Sequence, residues 1–449
     1  MSTGSGADSA PAPAAHDTPA RPRKTSMFAS LKVRNYRLFA TGAVISNTGT
    51  WMARITQDWL VLSLTGSSAA VGVTTAMQFL PMLLFGLYGG VIADRFAKRS
   101  LLFCTQGAMS LSGLFLAVLT LSGHVQVWHV YVAAFFTGLV TVVDNPTRQS
   151  FVSEMVGPDQ VRNAVSLNSA NFQSARLIGP AVASALTAAV GPGWAFLANG
   201  LSFLAPLTCL TLMRTAELHR TKLAPRGKGQ LKDGLRYVSQ HPELIWPIVL
   251  VGFVGTFGFN FPIWLSAYAD DVFHGGVGMY GVFNTLMAVG SLAGALLAAR
   301  RRSTRLRVLV GAAIGFGTLE ILAAWAPGVW AFAPLIVLLG ILGLTVNVTA
   351  NSTVQMGTEP EMRGRVMSLF MMVFTGGTPL GGPLFGWLAD QYGVRVSFML
   401  GGVICAAAAV GVGFMLARAA NLRLKVDLRR GERHLQFVPR EPQELAAVA

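Results

Sequence analysis

The sequence predicts an all-α membrane protein with twelve transmembrane helices in two six-helix bundles and with its N- and C-termini in the cytoplasm. Apolar segments recur along the chain, each near the ~20 residues that a helix needs to span a bilayer. All but three of the 35 Lys and Arg residues lie in the two tails and in every second loop, where the positive-inside rule places cytoplasmic segments. The composition, 52% hydrophobic and 12% charged with 49 Gly, is typical of closely packed membrane helices.

The twelve predicted spans are separated by loops of alternating charge. They cover residues 36–62, 69–93, 100–122, 128–147, 163–190, 194–213, 244–269, 277–299, 308–326, 329–352, 366–389 and 396–417. Of the loops on the opposite side, 65–68 and 191–193 contain only Gly, Pro, Ser and Thr. A large soluble core does not require this alternation, so we predict a multi-pass protein of the cell (plasma or inner) membrane.

The chain divides into two bundles and three polar segments. We predict a disordered cytoplasmic tail over 1–34, an N-terminal six-helix bundle over 35–213, a cytoplasmic linker over 214–243, a C-terminal six-helix bundle over 244–418 and a cytoplasmic tail over 419–449. A weak internal repeat supports the division, because one constant offset aligns Asn145 with Asn347 and Gly179 with Gly381. Such a repeat predicts two parallel halves related by an axis along the membrane normal.

The loop after the second predicted span carries the most specific motif. Residues 90–99 read Gly-Val-Ile-Ala-Asp-Arg-Phe-Ala-Lys-Arg and resemble G-x-L-A-D-R-x-G-R-R, the signature of the major facilitator superfamily, with Ile92 in place of Leu and Ala97 in place of the second Gly. The resemblance implies a latch that holds the inner side closed and a central cavity lined by spans 1, 4, 7 and 10. The predicted members of the latch are Gly90, Asp94, Arg95, Lys98 and Arg99. The three basic side chains among them can bind carboxylates and helix C-termini.

A narrower resemblance lies in spans 4 and 5. Residues 144–151, 163–169 and 175–181 are similar to the bacterial exporter branch that includes the enterobactin exporters and the transmembrane secretion effectors. This resemblance implies export of amphipathic small organic molecules (a drug, siderophore or metabolite) by proton antiport. Gly179-Pro180 resembles a shortened antiporter motif with a gating role, although such pairs also serve helix packing.

Charged residues inside predicted spans are candidates for mechanism, because a charge in hydrocarbon is costly. Arg54 and Asp58 are one helical turn apart and can pair directly. We predict Asp58 as the proton-coupling carboxylate, which can exchange a proton as Arg54 approaches or withdraws; the alternative is a static ion pair at the outer rim. Glu320 and Asp271 are further coupling candidates, although Glu320 lies in a peripheral span of the resembling family and Asp271 at the outer end of span 7.

Three other charged residues are predicted to act in gating. Arg176 could attract an anionic substrate, or it could hold neighbouring carbonyls and the Asp144 side chain. Asp144 and Arg148 are four residues apart at the inner end of span 4, where they predict either a cytoplasmic gate pair or interfacial charges that satisfy each other. Arg395 follows Asp390 at the outer rim, which predicts a local ion pair.

Uncharged residues with amide or aromatic side chains are the candidates for substrate binding. They are Trp51, Gln57, Asn260, Trp264, Asn284, Asn347 and Asn351. Asn347 and Asn351 share one helical face, which would be wasteful against lipid. The alternative for each is a polar contact with a neighbouring helix, and the mixture suits an amphipathic organic molecule better than an inorganic ion.

Enzymatic function is not predicted, because the sequence has neither a Walker motif, nor a metal-ligand cluster, nor a nucleophile elbow. We expect no cofactor, a proton gradient as the energy source, and a monomer that contacts membrane lipid. The net charge of +15 follows from topology, so no nucleic-acid partner is expected. The alternatives are an importer or a lysophospholipid flippase with the same fold, and a non-transporting membrane receptor or assembly factor.

Overall fold

The computed structural model describes residues 28–157, 160–219, 230–299, 306–359, 361–419, 422–426 and 435–439. Nearly all of them are helical. The helices are α1 (Arg34–Thr65), α2 (Ser68–Arg95), α3 (Lys98–Leu121), α4 (Val127–Val156), α5 (Val161–Val190), α6 (Pro192–Ser202), α7 (Leu204–Leu212), α8 (Gln230–Ser239), α9 (Pro242–Phe253), α10 (Phe261–Ala267), α11 (Gly276–Ala299), α12 (Leu306–Ala324), α13 (Val329–Met356), α14 (Arg363–Gly376), α15 (Thr378–Tyr392) and α16 (Val394–Ala419).

Nine helical stretches among the described residues are long and apolar enough to cross a membrane. Predicted spans 1, 5 and 11 correspond to α1, α5 and α14–α15, which are of similar length but more polar. Each of these three packs against a helix of the opposite half: α1 against α10, α5 against α11 and α15 against α2. Polar side chains on these helices therefore have protein neighbours in place of lipid.

Three predicted spans are interrupted, which sequence length alone did not indicate. Span 6 is divided at Phe203 and span 11 at Gly377. Span 7 consists of α9, a π-helical segment over Val254–Gly258, α10 and a second π-helical segment over Tyr268–Val272. Pro262 lies in the first turn of α10, where its missing N–H costs no helical hydrogen bond, so the chain restarts there after the break.

The segments outside the bundles are partly ordered. A 3-10 turn over Ala29–Lys32 precedes α1, and the Ser30 hydroxyl lies 2.7 Å from Asn163 Oδ1 in α5. This end of the predicted N-terminal tail is thus attached to the first bundle. α8 lies within the predicted linker and packs on α14. In the C-terminal tail, β1 (Leu422–Val426) and β2 (Leu435–Pro439) form an antiparallel hairpin, a small exception to the all-α prediction.

The two halves meet mainly at one end of the bundle. α2 packs along α15, and α5 packs along α11. Gly72 faces Gly382, and Gly386 faces the backbone of Ser68 and Ala69, so that the two backbones approach without intervening side chains. We call this the sealed end. The opposite end carries Arg95, Lys98, Arg363 and the other basic residues of the motif loop and the α14 start, and we call it the basic end.

Candidate functional site: a cavity closed at one end

A cavity of about 1970 Å³ extends from the basic end towards the middle of the bundle. It is lined by α1, α2, α3, α4 and α6 of the first half and by α14 of the second. Asp94 and Arg95 lie at its mouth opposite Glu361 and Arg365, because α2 ends and α14 begins there. Its volume is large enough for a drug-sized organic molecule.

The cavity ends below the sealed end. Close contacts between glycines and one carboxylate hold this end closed. Asp390 at the end of α15 accepts hydrogen bonds from the backbone N–H groups of Ser68 (2.7 Å) and Ala69 (3.1 Å) and from the Ser67 hydroxyl (2.6 Å). These groups form the N-terminus of α2, so Asp390 caps a helix of the opposite half. The predicted ion pair of Asp390 with Arg395 is not formed among the described residues.

Asp58 lies within this seal and is 4% exposed. Its Oδ2 accepts a 3.1 Å hydrogen bond from the hydroxyl of Tyr280 in α11, so the contact joins the two halves. The Tyr280 ring stacks on Trp59, with 6.2 Å between ring centroids, and Asp58 Oδ1 has no partner among the described atoms. A buried carboxyl with one oxygen unsatisfied is costly to retain, which is typical of a functional group.

Arg54 does not form the predicted pair with Asp58 in this structure. Its guanidinium instead lies over the rings of Trp51, at 5.1 Å, and Phe79, at 5.9 Å, and the residue lines the cavity. Arg176 lies over the same Trp51 ring, with its guanidinium 5.6 Å from the ring centroid. Trp51 is therefore shared by two arginines, and Arg176 does not hold Asp144 as one prediction had it.

The motif loop binds groups of its own half in this conformation. Lys98 pairs with Glu154 near the end of α4, and Arg99 donates to the carbonyl oxygens of Leu210 (2.7 Å) and Thr211 (3.2 Å) at the end of α7. These are a carboxylate and a helix C-terminus, the two partner types that the sequence predicted. Gly90, Asp94 and Arg95 line the cavity.

Asp144 and Arg148 form the predicted pair, with Arg148 Nη2 3.2 Å from Asp144 Oδ2. Asp144 also accepts 2.7 Å hydrogen bonds from Thr105 and Gln106 of α3. The cluster thus fastens α3 to α4 inside the first half. Gly179 and Pro180 lie where α5 contacts α1 and α11: a Cβ at Gly179 would overlap Trp51, and the Pro180 carbonyl lies beside Gly281.

Trp264 and Asn260 of span 7 were predicted to bind substrate, but in this conformation both lie outside the described cavity lining. Trp264 is fully buried, and its Nε1 donates to Ser397 Oγ at 3.0 Å. Asn260 is 2% exposed at the helix break and donates to the Thr256 carbonyl at 2.9 Å. Glu320 is also fully buried beside Gly258 of the π-helical segment, and the Cys405 thiol is the polar neighbour of its carboxylate.

The remaining candidates are divided between the cavity and other surfaces. Gln57 lines the cavity and accepts a 3.1 Å hydrogen bond from Gln78. Asn284 donates to the Tyr280 carbonyl at 2.9 Å and so supports the seal. Asn347 and Asn351 lie one turn apart on α13, outside the described cavity lining. Asp271 is exposed at the sealed end.

Sequence reasoning missed Tyr280 and Gln78, and it gave Asp390 a different partner. Tyr280 and Gln78 are single polar residues in apolar helices, and the sequence pattern does not show which helix each one faces. Ser67-Ser68 is a typical helix N-terminal sequence, but nothing in the sequence shows that Asp390 lies beside it.

The chain belongs to the transmembrane secretion effector family of major facilitator transporters, whose family model matches residues 25–437. It is therefore a multi-span membrane transporter of small molecules and not an enzyme. It is similar to the staphyloferrin A transporter of Staphylococcus aureus, at 25% identity over 82% of this chain and 92% of that protein. It is also similar to the enterobactin exporter EntS of Escherichia coli, at 23% identity over 82% of this chain and 86% of the exporter.

Solved structures support the fold. A bacterial homologue of the human lysosomal transporter Spinster, in an inward-facing and occupied conformation, superimposes with a TM-score of 0.68 at 15% identity, covering 86% of this chain and 97% of the other. Among the described residues no group of three or more His, Cys, Asp or Glu side chains could hold a metal ion. The site is thus defined by its cavity, its seal and its buried charges.

Proposed function

We propose that this protein is a proton-coupled exporter of amphipathic small organic molecules that works by alternating access. In this proposal the nine apolar stretches and the three more polar helical segments α1, α5 and α14–α15 form twelve spans of the plasma membrane. The basic end faces the cytoplasm, as the positive-inside rule requires, and both termini lie there. The cavity then opens to the cytoplasm and the sealed end faces outward.

The hydrogen bond between Asp58 and Tyr280 is the observation that carries the proposal. It places a carboxyl between the two halves at the end that must open to release cargo. Opening that end separates α1 from α11 and exposes Asp58 to the outer solution, where it can take up a proton. Closing it returns Asp58 to the seal, one helical turn from the cavity-lining Arg54. Protonation of Asp58 is thereby coupled to the equilibrium between the inward-open and outward-open conformations.

The cavity suits an amphipathic cargo, and the energy comes from the proton gradient without a cofactor. Its wall includes apolar methionines such as Met82 and Met371 together with amides such as Gln57 and Asn145. Flexible Met side chains adapt to varied shapes, and the amides supply directional hydrogen bonds. The two relatives named above, a staphyloferrin A transporter and an enterobactin exporter, support this class of cargo. We take the working unit to be a monomer embedded in lipid.

Inside-out vesicles under an imposed pH gradient test the proposal. With an acidic lumen, vesicles that contain the unaltered protein should accumulate at least one member of a panel of siderophores, macrolides and aromatic acids. Asp58→Asn keeps the size of the side chain but cannot carry a proton, so accumulation should fall to the level of vesicles without the protein. Glu217→Gln is the matched control, because Glu217 is an exposed acid that pairs with Arg214 at 3.1 Å.

Two outcomes would contradict the proposal. Accumulation that continues unchanged in Asp58→Asn would remove Asp58 from the coupling. Accumulation of no compound by folded protein would favour the receptor or assembly-factor function. Size-exclusion profiles of each variant show whether it is folded.

A further inference from the structure

The closed part of the cavity is positively charged. Acidic residues line the cavity at its mouth, where Asp94 and Glu361 are accompanied by Arg95 and Arg365. Beyond the mouth, Arg54 is the one charged residue among the described cavity lining. The other polar groups there are amides and hydroxyls. A molecule that enters the cavity therefore meets balanced charge at the mouth and a single cation at the closed end.

Arg54 presents unused hydrogen-bond donors to this space. The guanidinium has five N–H donors in one plane, and no hydrogen bond or ion pair to Arg54 occurs among the described residues. Its faces lie over Trp51 and Phe79. The nearest acid along the helix, Asp58, is hydrogen-bonded to Tyr280 and attracts Arg54 at a distance without pairing with it. A partly buried guanidinium without a hydrogen-bond acceptor is costly. A ligand in the cavity can supply that acceptor.

We infer that the cavity binds organic anions. Arg54 binds the carboxylate or sulfonate group at the closed end, and the apolar body of the anion lies against cavity-lining methionines such as Met82 and Met371. A planar carboxylate matches the edge of a guanidinium with two parallel hydrogen bonds. Phe79, which also lines the cavity, offers a ring for an aromatic body. The cation of Arg176, whose guanidinium also lies over the Trp51 ring, adds to the positive potential.

This inference deepens the proposed export and rests on it only in taking this cavity as the substrate site. It has a consequence for the driving force. An anion that leaves the cell and a proton that enters both move positive charge inward, so an inside-negative potential drives both. Each charge contributes about 50-fold accumulation per 100 mV. Export of a monovalent anion against one proton should therefore depend about twice as steeply on membrane potential as export of a neutral cargo.

Equilibrium dialysis on purified protein in phosphatidylcholine nanodiscs tests the binding step without a gradient. The probes are naphthalene-1-carboxylate, 1-naphthylmethanol and 1-naphthylmethylammonium, which share one ring system and differ in charge. The carboxylate should bind about 10- to 100-fold more tightly than the alcohol, since charge-assisted hydrogen bonds to guanidinium are strong. Arg54→Gln should remove that advantage and leave the alcohol unchanged, and Arg54→Lys should keep part of it.

The control is Arg214→Gln, an exposed arginine outside the cavity, which should bind all three probes as the unaltered protein does. Equal binding of the three probes, binding of none of them, or carboxylate binding that survives Arg54→Gln would overturn the inference. Arg54→Lys keeps the test valid if Arg54→Gln does not fold. Anion binding without export would sink only the proposed function, and export of neutral compounds with no dependence on Arg54 would sink only this inference.

Discussion

Replacement of Asp390 by Ala should weaken the sealed end and shift the protein towards a conformation that is open there. In the structure Asp390 accepts three hydrogen bonds from the N-terminus of α2, at 2.6, 2.7 and 3.1 Å. These bonds exist only while the halves are in contact, because Asp390 belongs to the second half and α2 to the first. Their loss destabilises the sealed conformation and leaves the separated one nearly unaffected.

The size of the shift follows from known capping energies. Removal of an N-cap side chain costs about 0.5–2 kcal/mol, and loss of a negative charge at a helix N-terminus costs about 0.3–1 kcal/mol. Asp390 is exposed, so the sum is at most about 3 kcal/mol and more reasonably about 1–2 kcal/mol. The ratio of open to sealed molecules should rise by about 5- to 30-fold.

Double electron–electron resonance measures this ratio. Spin labels at Ser122→Cys and Trp330→Cys, in a background without the three native cysteines, report on the sealed ends of the two halves, where both residues are exposed. The long-distance population should grow in Asp390→Ala. Asp270→Ala removes another exposed acid of the same end and should leave the distances as they were. Identical distributions for Asp390→Ala and the unaltered protein would refute the reasoning.

Two further predictions concern groups outside the cavity. Glu320→Gln should retain proton-coupled accumulation in vesicles, because Glu320 lies outside the described cavity lining and its described neighbours Gly258, Gly402 and Cys405 all belong to the second half; a loss of most of the activity would restore it as a coupling residue. Gly281→Val should hold the sealed end open, since a side chain there overlaps Ser184 and the Pro180 carbonyl, at a cost of about 1–3 kcal/mol to the sealed state. Labelling of Ser184→Cys in whole cells by a membrane-impermeant thiol reagent should then accelerate, and an unchanged rate would speak against the seal.

Much of the fold could be predicted from the sequence, because each membrane helix is specified locally by length and hydrophobicity. The turn signals also acted locally: Ser67 caps the N-terminus of α2, and Gly66 ends α1 with a φ of 60°. The breaks in span 7 could not be predicted in this way. They lie in an apolar run where π-helical turns depend on packing against other helices, as with Gly258 against Phe316.

The site was predictable in its charges but not in its pairings. A costly buried charge can be recognised from its position in an apolar segment, which identified Arg54, Asp58 and Arg176. The partner that each one selects depends on which helix lies opposite. Asp58 bonds to Tyr280, 222 residues away, whereas the predicted partner was one turn away on the same helix. Trp264 illustrates the same limit, because a buried and a cavity-lining Trp have the same sequence context.

The most direct test of the central claim is to measure cargo and proton movement together in proteoliposomes. The cargo is the panel compound that the vesicle assay accumulates most, and a pH-sensitive dye inside the liposomes records protons. The account predicts that cargo moving one way drives protons the other way in the unaltered protein, and that Asp58→Asn abolishes the proton signal. A proton signal of unchanged size in Asp58→Asn, with cargo still moving, would contradict it.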